Sequence, residues 1–239
     1  MDSLDFARSR ALNNIPKKKL LEFIASIDSS DDDPKLKTTK QIAVNRYFES
    51  NIPIEYWSLK MERDFFGDKK LLAKYNDYIS DLKKSYIDGT SICFAGGHGL
   101  GKTFVVSSIL KASCIKGYSC LYSTLSDIVN VSTQSSGEDR YLAKRELVLV
   151  DFLVIDEFDS RFMPSENAAD LYARSLENVF RTRSQNKLPT LMCTNSPNII
   201  ESFNGPLKES ITSLMKGYMK VFPVFGEDFR KRDRTVISK

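Results

Sequence analysis

Apolar positions along the chain recur in alternating helical and strand-like periods, and the alternation becomes regular after about residue 50. Before it, Leu4, Ala7, Ala11 and Ile15, then Leu20, Phe23, Ile24 and Ile27, keep helical spacing on either side of Pro16, which predicts two short amphipathic helices. The stretch Ser29-Ser30-Asp31-Asp32-Asp33-Pro34-Lys35 is polar, acidic and ended by proline. It has little to bury against the entropy of ordering and reads as a hinge. Further on, Tyr75, Tyr78, Ile79 and Leu82 share one face of a helix expected over residues 69–84. A buried strand at 91–95, a helix at 102–116 closed by Gly117 and a strand at 119–122 follow.

Residues 125–131 predict a short helix, and the polar Ser132-Thr133-Gln134-Ser135-Ser136-Gly137 a loop. The near-continuous apolar run from Leu147 to Ile155 suits a central parallel strand covered on both faces. Pro164-Ser165 introduces a helix over 166–183, where Ala168, Leu171, Tyr172, Leu176, Val179 and Phe180 repeat with a period near 3.6. A strand at 190–193, a helix at 211–219 and an extended segment at 221–224 lead to a basic end, Phe229-Arg230-Lys231-Arg232-Asp233-Arg234. No internal repeat is visible. The strand and helix order is that of an α/β fold with a parallel sheet.

Composition narrows the function classes. At 239 residues the chain accommodates one sizeable domain with a small appendage, which excludes a multi-domain polymerase or a long solenoid. Hydrophobic residues at 41% and charged residues at 28% fill a core and keep a solvated surface, which excludes global disorder. Thirty-five Lys+Arg against 31 Asp+Glu leave a net charge of +4, which permits nucleic acid as a partner without requiring it. Cys93, Cys114, Cys120 and Cys193 lack the close spacing of a zinc site or disulfide framework, so reduced thiols and a cytoplasmic location are expected. No apolar run approaches the roughly 20 residues that span hydrocarbon, and the first residues lack the basic-then-apolar pattern of a leader, so neither membrane nor secretion is expected.

Three segments carry chemistry. Gly96-Gly97-His98-Gly99-Leu100-Gly101-Lys102-Thr103 fits G-x-x-x-x-G-K-[ST] between a predicted strand and a predicted helix. Its glycines allow a turn whose amides face phosphate oxygens, and the following helix adds a favourable dipole. Lys102 would reach the β and γ phosphates, and the Thr103 hydroxyl would ligate magnesium. Phe152-Leu153-Val154-Ile155-Asp156-Glu157 ends a strand in two carboxylates. At the carboxyl end of an open sheet they would emerge beside the phosphate loop, with Asp156 serving the magnesium shell and Glu157 the attacking water. Leu191-Met192-Cys193-Thr194-Asn195 ends another strand in a polar pair, where Asn195 suits either a γ-phosphate contact or an ordinary turn. His98, the only histidine, has no paired carboxylate or nucleophile and is given no catalytic role.

From Asn51 to Arg232 the chain resembles P-loop ATPases of the AAA+ superfamily. Within them it is similar to the bacterial and phage replicative helicase-loader family and to the related ATPase subunits of transposition systems. The resemblance rests on Gly96 to Thr103, Leu153 to Glu157, Tyr172 to Asn195 with its Leu188-Pro189-Thr190 lead-in, and Phe222-Pro223-Val224-Phe225-Gly226-Glu227-Asp228-Phe229-Arg230. It implies a three-layer sandwich around a central parallel sheet at residues 51–239, preceded by a helical partner-binding segment at 1–50. It implies ATP held by Gly96, Gly97, His98, Gly99, Leu100, Gly101, Lys102, Thr103 and Phe104, magnesium at Thr103 and Asp156, and catalysis by Lys102, Glu157 and Asn195.

The resemblance further implies a homo-oligomer in the ATP state, with one protomer's arginine reaching its neighbour's nucleotide. The matching stretch, residues 208–216, has no arginine. Either Lys208 or Lys216 substitutes, or an arginine from elsewhere does, or hydrolysis depends on a partner. Arg230 matches the terminal arginine of these proteins. The implied partners are a replicative DNA helicase and single-stranded DNA, the latter touched through Arg174, Arg181, Arg183, Lys187 and the tail Arg230, Lys231, Arg232 and Arg234. The expected function is an ATP-hydrolysing helicase loader in DNA replication. A transposition-regulating ATPase and an ATP-gated, non-hydrolysing interaction module are the alternatives. A small-molecule kinase fits less well with the acidic pair after a long strand and the later Thr-Asn strand end.

Overall fold

The computed structural model describes residues 15–30, 33–134, 137–159, 166–199 and 205–228. Two helices open the described chain, α1 (Lys17–Ser30) and α2 (Pro34–Glu49), followed by a short helix α3 (Met61–Asp64), then α4 (Lys69–Ser80) and α5 (Leu82–Ile87). Strand β1 (Ser91–Ala95), helix α6 (Lys102–Ile115) and strand β2 (Cys120–Thr124) come next. They are followed by α7 (Leu125–Gln134), α8 (Gly137–Leu149), β3 (Phe152–Asp156), α9 (Glu166–Gln185), β4 (Thr190–Thr194), α10 (Gly205–Tyr218) and β5 (Met219–Pro223). The strands lie in the order β2-β3-β4-β1-β5, and every pairing is parallel.

Strand alternation divides the core into two layers. Ile92, Phe94, Cys120, Tyr122, Phe152, Val154, Leu191 and Cys193 face α6 and the N-terminal helices. Cys93, Leu121, Leu153, Ile155 and Met192 face the opposite side, against residues of α7, α8, α9 and α10. Burial of both faces explains why the central strands read as unbroken apolar runs. The chain leaves β1 toward β2 and leaves β4 toward β5, in opposite directions. The carboxyl ends of β1 and β4 therefore flank a topological switch point, where such sheets bind ligands. All four cysteines are buried free thiols. No helix among the described residues is long and apolar enough to cross a membrane.

Several boundaries differ from the sequence expectation for local reasons. The flanks of the acidic stretch are helical: α1 runs through Ser30, and Asp33 caps α2 by accepting from Lys35 N at 2.9 Å, with Pro34 in the first turn. α2 escapes the apolar pattern because its buried residues, Val44, Tyr47 and Phe48, crowd into its last turns. The single helix expected over 69–84 breaks at Asp81, whose carboxylate accepts from Lys84 N and starts α5. The polar stretch from Ser132 is helical as far as Gln134, and α8 begins at Gly137; Ser135 and Ser136 lie outside the described residues, as do residues 1–14 and 31–32. The apolar run from Leu147 is not one strand, since α8 holds its first three residues and β3 begins only at Phe152. Hydrophobicity alone does not separate a buried helix end from a buried strand.

Arg183 corrects a functional expectation. Its side chain is fully buried, with 0% exposure, and cannot meet an external phosphate in this fold. The guanidinium donates to the carbonyls of Leu147, Val150, Asp151 and Pro189 and to Thr190 Oγ1, at 2.7 to 3.3 Å. It pins the end of α8 to the starts of β3 and β4, where helix carbonyls favour a cation. Burial pushes its pKa down to about 10, so it stays charged at neutral pH. Arg181 and Lys187, by contrast, are exposed, and Arg181 pairs with Glu177 one turn back. Arg183→Met is expected to cost about 3–5 kcal/mol of folding stability, because it strands buried carbonyls. Arg181→Met should stay within about 0.5 kcal/mol. Denaturant unfolding of both variants measures the contrast.

Candidate functional site

The loop between β1 and α6 is shaped by backbone that only glycine adopts easily. Gly99 has φ 71° and Gly101, the residue before α6, has φ 82°. Behind the loop lies the segment that follows β5. A Cβ at Gly96 would stand 2.2 Å from the Val224 carbonyl oxygen, and one at Gly99 would stand 1.8 Å from Asp228 Oδ1. Val224 is itself anchored, its N–H donating to Ala95 O at 2.7 Å. These two glycines thus serve close packing against the C-terminal segment as well as loop curvature.

Lys102 is only 5% exposed although it carries a charge. Its ammonium donates to Gly96 O at 2.9 Å, Gly97 O at 2.5 Å and Asn195 Oδ1 at 3.0 Å. The first loop and the end of β4 are therefore joined through one side chain. Gly96 N–H also donates to Thr194 O, which ties the loop's start to the same strand end. Asn195 and Thr103 are half-buried, Phe104 and Leu100 are buried, and Gly97 and His98 are exposed.

Asp156 ends β3 on the face that also carries Val154 and Phe152, and it is 5% exposed. Its Oδ1 accepts from Glu157 N at 2.7 Å, and its Oδ2 from the Tyr122 hydroxyl at 2.6 Å. Glu157 is exposed and adopts φ 52°, a conformation uncommon for a non-glycine residue. Phe158 N–H donates to Cys193 O, so β3 stays registered to β4 beyond the carboxylates. Burial, and then the nearby Asp156 charge, push the Cys193 thiol and the Tyr122 phenol well above their ordinary pKa values. Both stay neutral beside the carboxylate. No cluster of three or more His, Cys, Asp or Glu side chains able to hold a metal occurs among the described residues. A hard cation here would take one carboxylate, a hydroxyl and otherwise oxygen from water or ligand, the habit of magnesium.

Not every predicted residue converges. Lys208 and Lys216 are exposed on α10, and Arg230, Lys231, Arg232 and Arg234 lie outside the described residues. The side chain of Arg174 also lies outside the described residues. Two participants escaped sequence reading: Tyr122, an ordinary strand aromatic by pattern, and Asp228, whose contact with the loop depends on where β5 lies. A cavity of about 250 Å³ opens next to the loop between the Phe66–Asp68 turn, Leu100 and the Phe225–Glu227 segment. Phe66 and Phe225 stand 71% and 68% exposed at its edge.

Comparison with known proteins agrees with this geometry. The family described as IstB-like ATP binding protein matches residues 59–191. The replicative helicase loader DnaC of Escherichia coli K12 is 26% identical over 215 residues, 87% of this chain and 81% of that protein. The crystal structure of the DnaC helicase loader superposes with a TM-score of 0.59 at 17% identity, over 72% of this chain and 100% of that one. The replication initiator DnaA bound to AMPPCP and single-stranded DNA superposes with a TM-score of 0.56 at 15% identity, over 78% of this chain and 55% of that one. The fold is that of AAA+ P-loop domains, with a helical segment before the sheet.

The glycine contacts can be separated by substitution. Gly96→Ala is expected to lower folding stability by roughly 1–3 kcal/mol, since the opposing carbonyl belongs to Val224, whose N–H is bonded to the end of β1. Gly97→Ala should be close to neutral for stability, because its Cβ would meet nothing nearer than Leu100 Cδ1 at 3.9 Å. Thermal unfolding of the two variants checks this.

Proposed function

Because the chain belongs to the family of IstB-like ATP binding proteins, we propose that it is a DnaC-like helicase loader that binds ATP with magnesium and hydrolyses it at the carboxyl ends of β1, β3 and β4. The observation that carries this reading is the three-way hold on the Lys102 ammonium by the loop carbonyls and Asn195. An ammonium that already links two strand ends exchanges those neutral acceptors for phosphate oxygens, a charge-assisted gain. Asn195, released from Lys102, is then free to donate to a terminal phosphate.

Thr103 through its hydroxyl, and Asp156 through water in the metal's shell, would hold magnesium, which would supply charge neutralisation on the phosphates. Glu157 stands exposed one residue beyond Asp156 and orients the attacking water. The backbone amides of residues 97–102 cradle the phosphates, and the start of α6 adds its dipole. The cavity edged by Phe66 and Phe225 receives the base.

Residues 1–50 form the docking segment for a replicative helicase, and exposed Arg181 and Lys187 belong to a salt-sensitive contact with single-stranded DNA. Protomers associate in the ATP state, with Lys208 or Lys216 of α10 in the place where the family carries an arginine. The structural likeness to a DnaA bound to AMPPCP and single-stranded DNA supports the nucleotide and DNA parts of this reading.

Lys102→Ala should weaken ATP binding by about 100-fold, the loss of a charge-assisted contact worth roughly 3 kcal/mol. Glu157→Gln should keep ATP affinity and lower turnover about 100-fold or more. Equilibrium ATP binding and phosphate release, measured with and without single-stranded DNA and helicase, test both. Unchanged affinity in Lys102→Ala removes the site. Absence of turnover in the wild type with both partners present leaves a nucleotide-gated docking protein instead of an enzyme.

A further inference from the structure

Tyr122 stands at a junction that phosphate chemistry alone does not require. Its hydroxyl donates to Asp156 Oδ2 at 2.6 Å, and the two residues are 7% and 5% exposed. Its peptide group meanwhile holds the end of α2: Tyr122 N–H donates to Ser50 O at 2.8 Å, and Tyr122 O accepts from Asn51 Nδ2 at 3.0 Å. β2 is an edge strand, so these outward-facing groups lack a neighbouring strand. The residues that follow α2 occupy that place. Asn51 reaches it at φ 54°, a left-handed conformation that asparagine tolerates better than most residues.

A second tie reinforces the first. Arg46, one turn before the end of α2, donates to Cys114 O at 3.0 Å and Ile115 O at 2.9 Å, the last carbonyls of α6. The first residue of α6 is Lys102. The end of α2 is thus fastened to the nucleotide site twice, through the length of α6 and through the single side chain of Tyr122. Of the two routes, only Tyr122 ends on the carboxylate assigned to the metal shell.

We infer that Tyr122 is a positioning residue that orients Asp156 and carries its state to the end of α2, so that loading of the nucleotide site is felt by the N-terminal helices. The inference rests on the proposed role of Asp156 toward magnesium. Oδ1 already accepts from Glu157 N–H and Oδ2 from the phenol, so a metal-bound water that donates to Oδ2 shares that oxygen with the Tyr122 hydroxyl and weakens or turns its bond. In a close-packed interior the ring follows that shift, and its peptide group displaces Ser50 and Asn51.

Tyr122→Phe removes the hydroxyl and keeps the ring and both backbone hydrogen bonds, to Ser50 O and from Asn51 Nδ2. Hydrogen exchange of full-length protein, read over residues 44–52 with and without ATP and magnesium, gives the conformational signal. Magnesium titration of ATP binding gives the metal signal. The wild type should change exchange in this segment about 5-fold or more on loading. Tyr122→Phe should lose that response and need about 10-fold more magnesium for half-saturation, as for other partners of metal ligands. Its affinity for ATP without magnesium should match the wild type.

Asn51→Gly keeps the phenol on Asp156 and the Tyr122 N–H bond to Ser50 O, removes the Asn51 bond to Tyr122 O and accommodates the positive φ, so it should retain the wild-type magnesium requirement while weakening the exchange response. Should Tyr122→Phe fail to fold, Asn51→Gly decides the matter by the same exchange readout. A wild-type response preserved in Tyr122→Phe, or a wild type that binds ATP with no change at 44–52, overturns the inference. A wild type that binds no ATP overturns the nucleotide reading itself.

Discussion

A buried ammonium organises the carboxyl end of the sheet. Lys102 begins α6 yet is almost wholly enclosed, and a charge withdrawn from water must be met by dipoles or counter-charge. Two carbonyls of the loop and the side chain of Asn195 meet it. That requirement closes the loop over its own lysine and fastens it to β4. It leaves the loop and the strand ends in one place, which is the condition for any chemistry on a phosphate chain.

The same device recurs away from the site. Arg183 gathers four carbonyls at the foot of the sheet. Arg46 closes the end of α6. Lys111, brought down to about 8 by burial, donates to Tyr56 O and Leu59 O and so anchors the chain between α2 and α3. Each cation donates to carbonyls at or near the ends of helices and strands, some of which, such as Cys114 O, Tyr56 O and Pro189 O, also accept a backbone N–H. These cations therefore tie the ends of separate elements to one another.

The N-terminal helices are part of this scaffold. Leu20, Val44, Tyr47 and Phe48 join the same apolar cluster as the α6 face of the sheet, and Phe23 meets Trp57 edge to face with ring centroids 5.2 Å apart. Helices built this way are in contact with α6, the helix that follows the phosphate loop, and with Asp156 through Tyr122.

Periodicity and spacing alone disclosed the parallel α/β character, the phosphate loop between β1 and α6, the two carboxylates after β3 and the Thr194-Asn195 strand end, because local patterns encode what neighbouring residues do together. They ran one helix across Asp81, where a cap starts a new one, and passed over the helix that ends at Leu149, where a change of element hides inside a uniform apolar run. They also treated Arg183 as a surface cation, since nothing in a basic helix reveals which side chain turns inward to meet carbonyls from three other elements. Only the tertiary structure decided that Gly96 and Gly99 lie against Val224 and Asp228, and that Tyr122 joins Asp156 to the end of α2. Those contacts link residues tens to more than a hundred positions apart, and the order of strands in the sheet, which no local pattern specifies, is what brings them together.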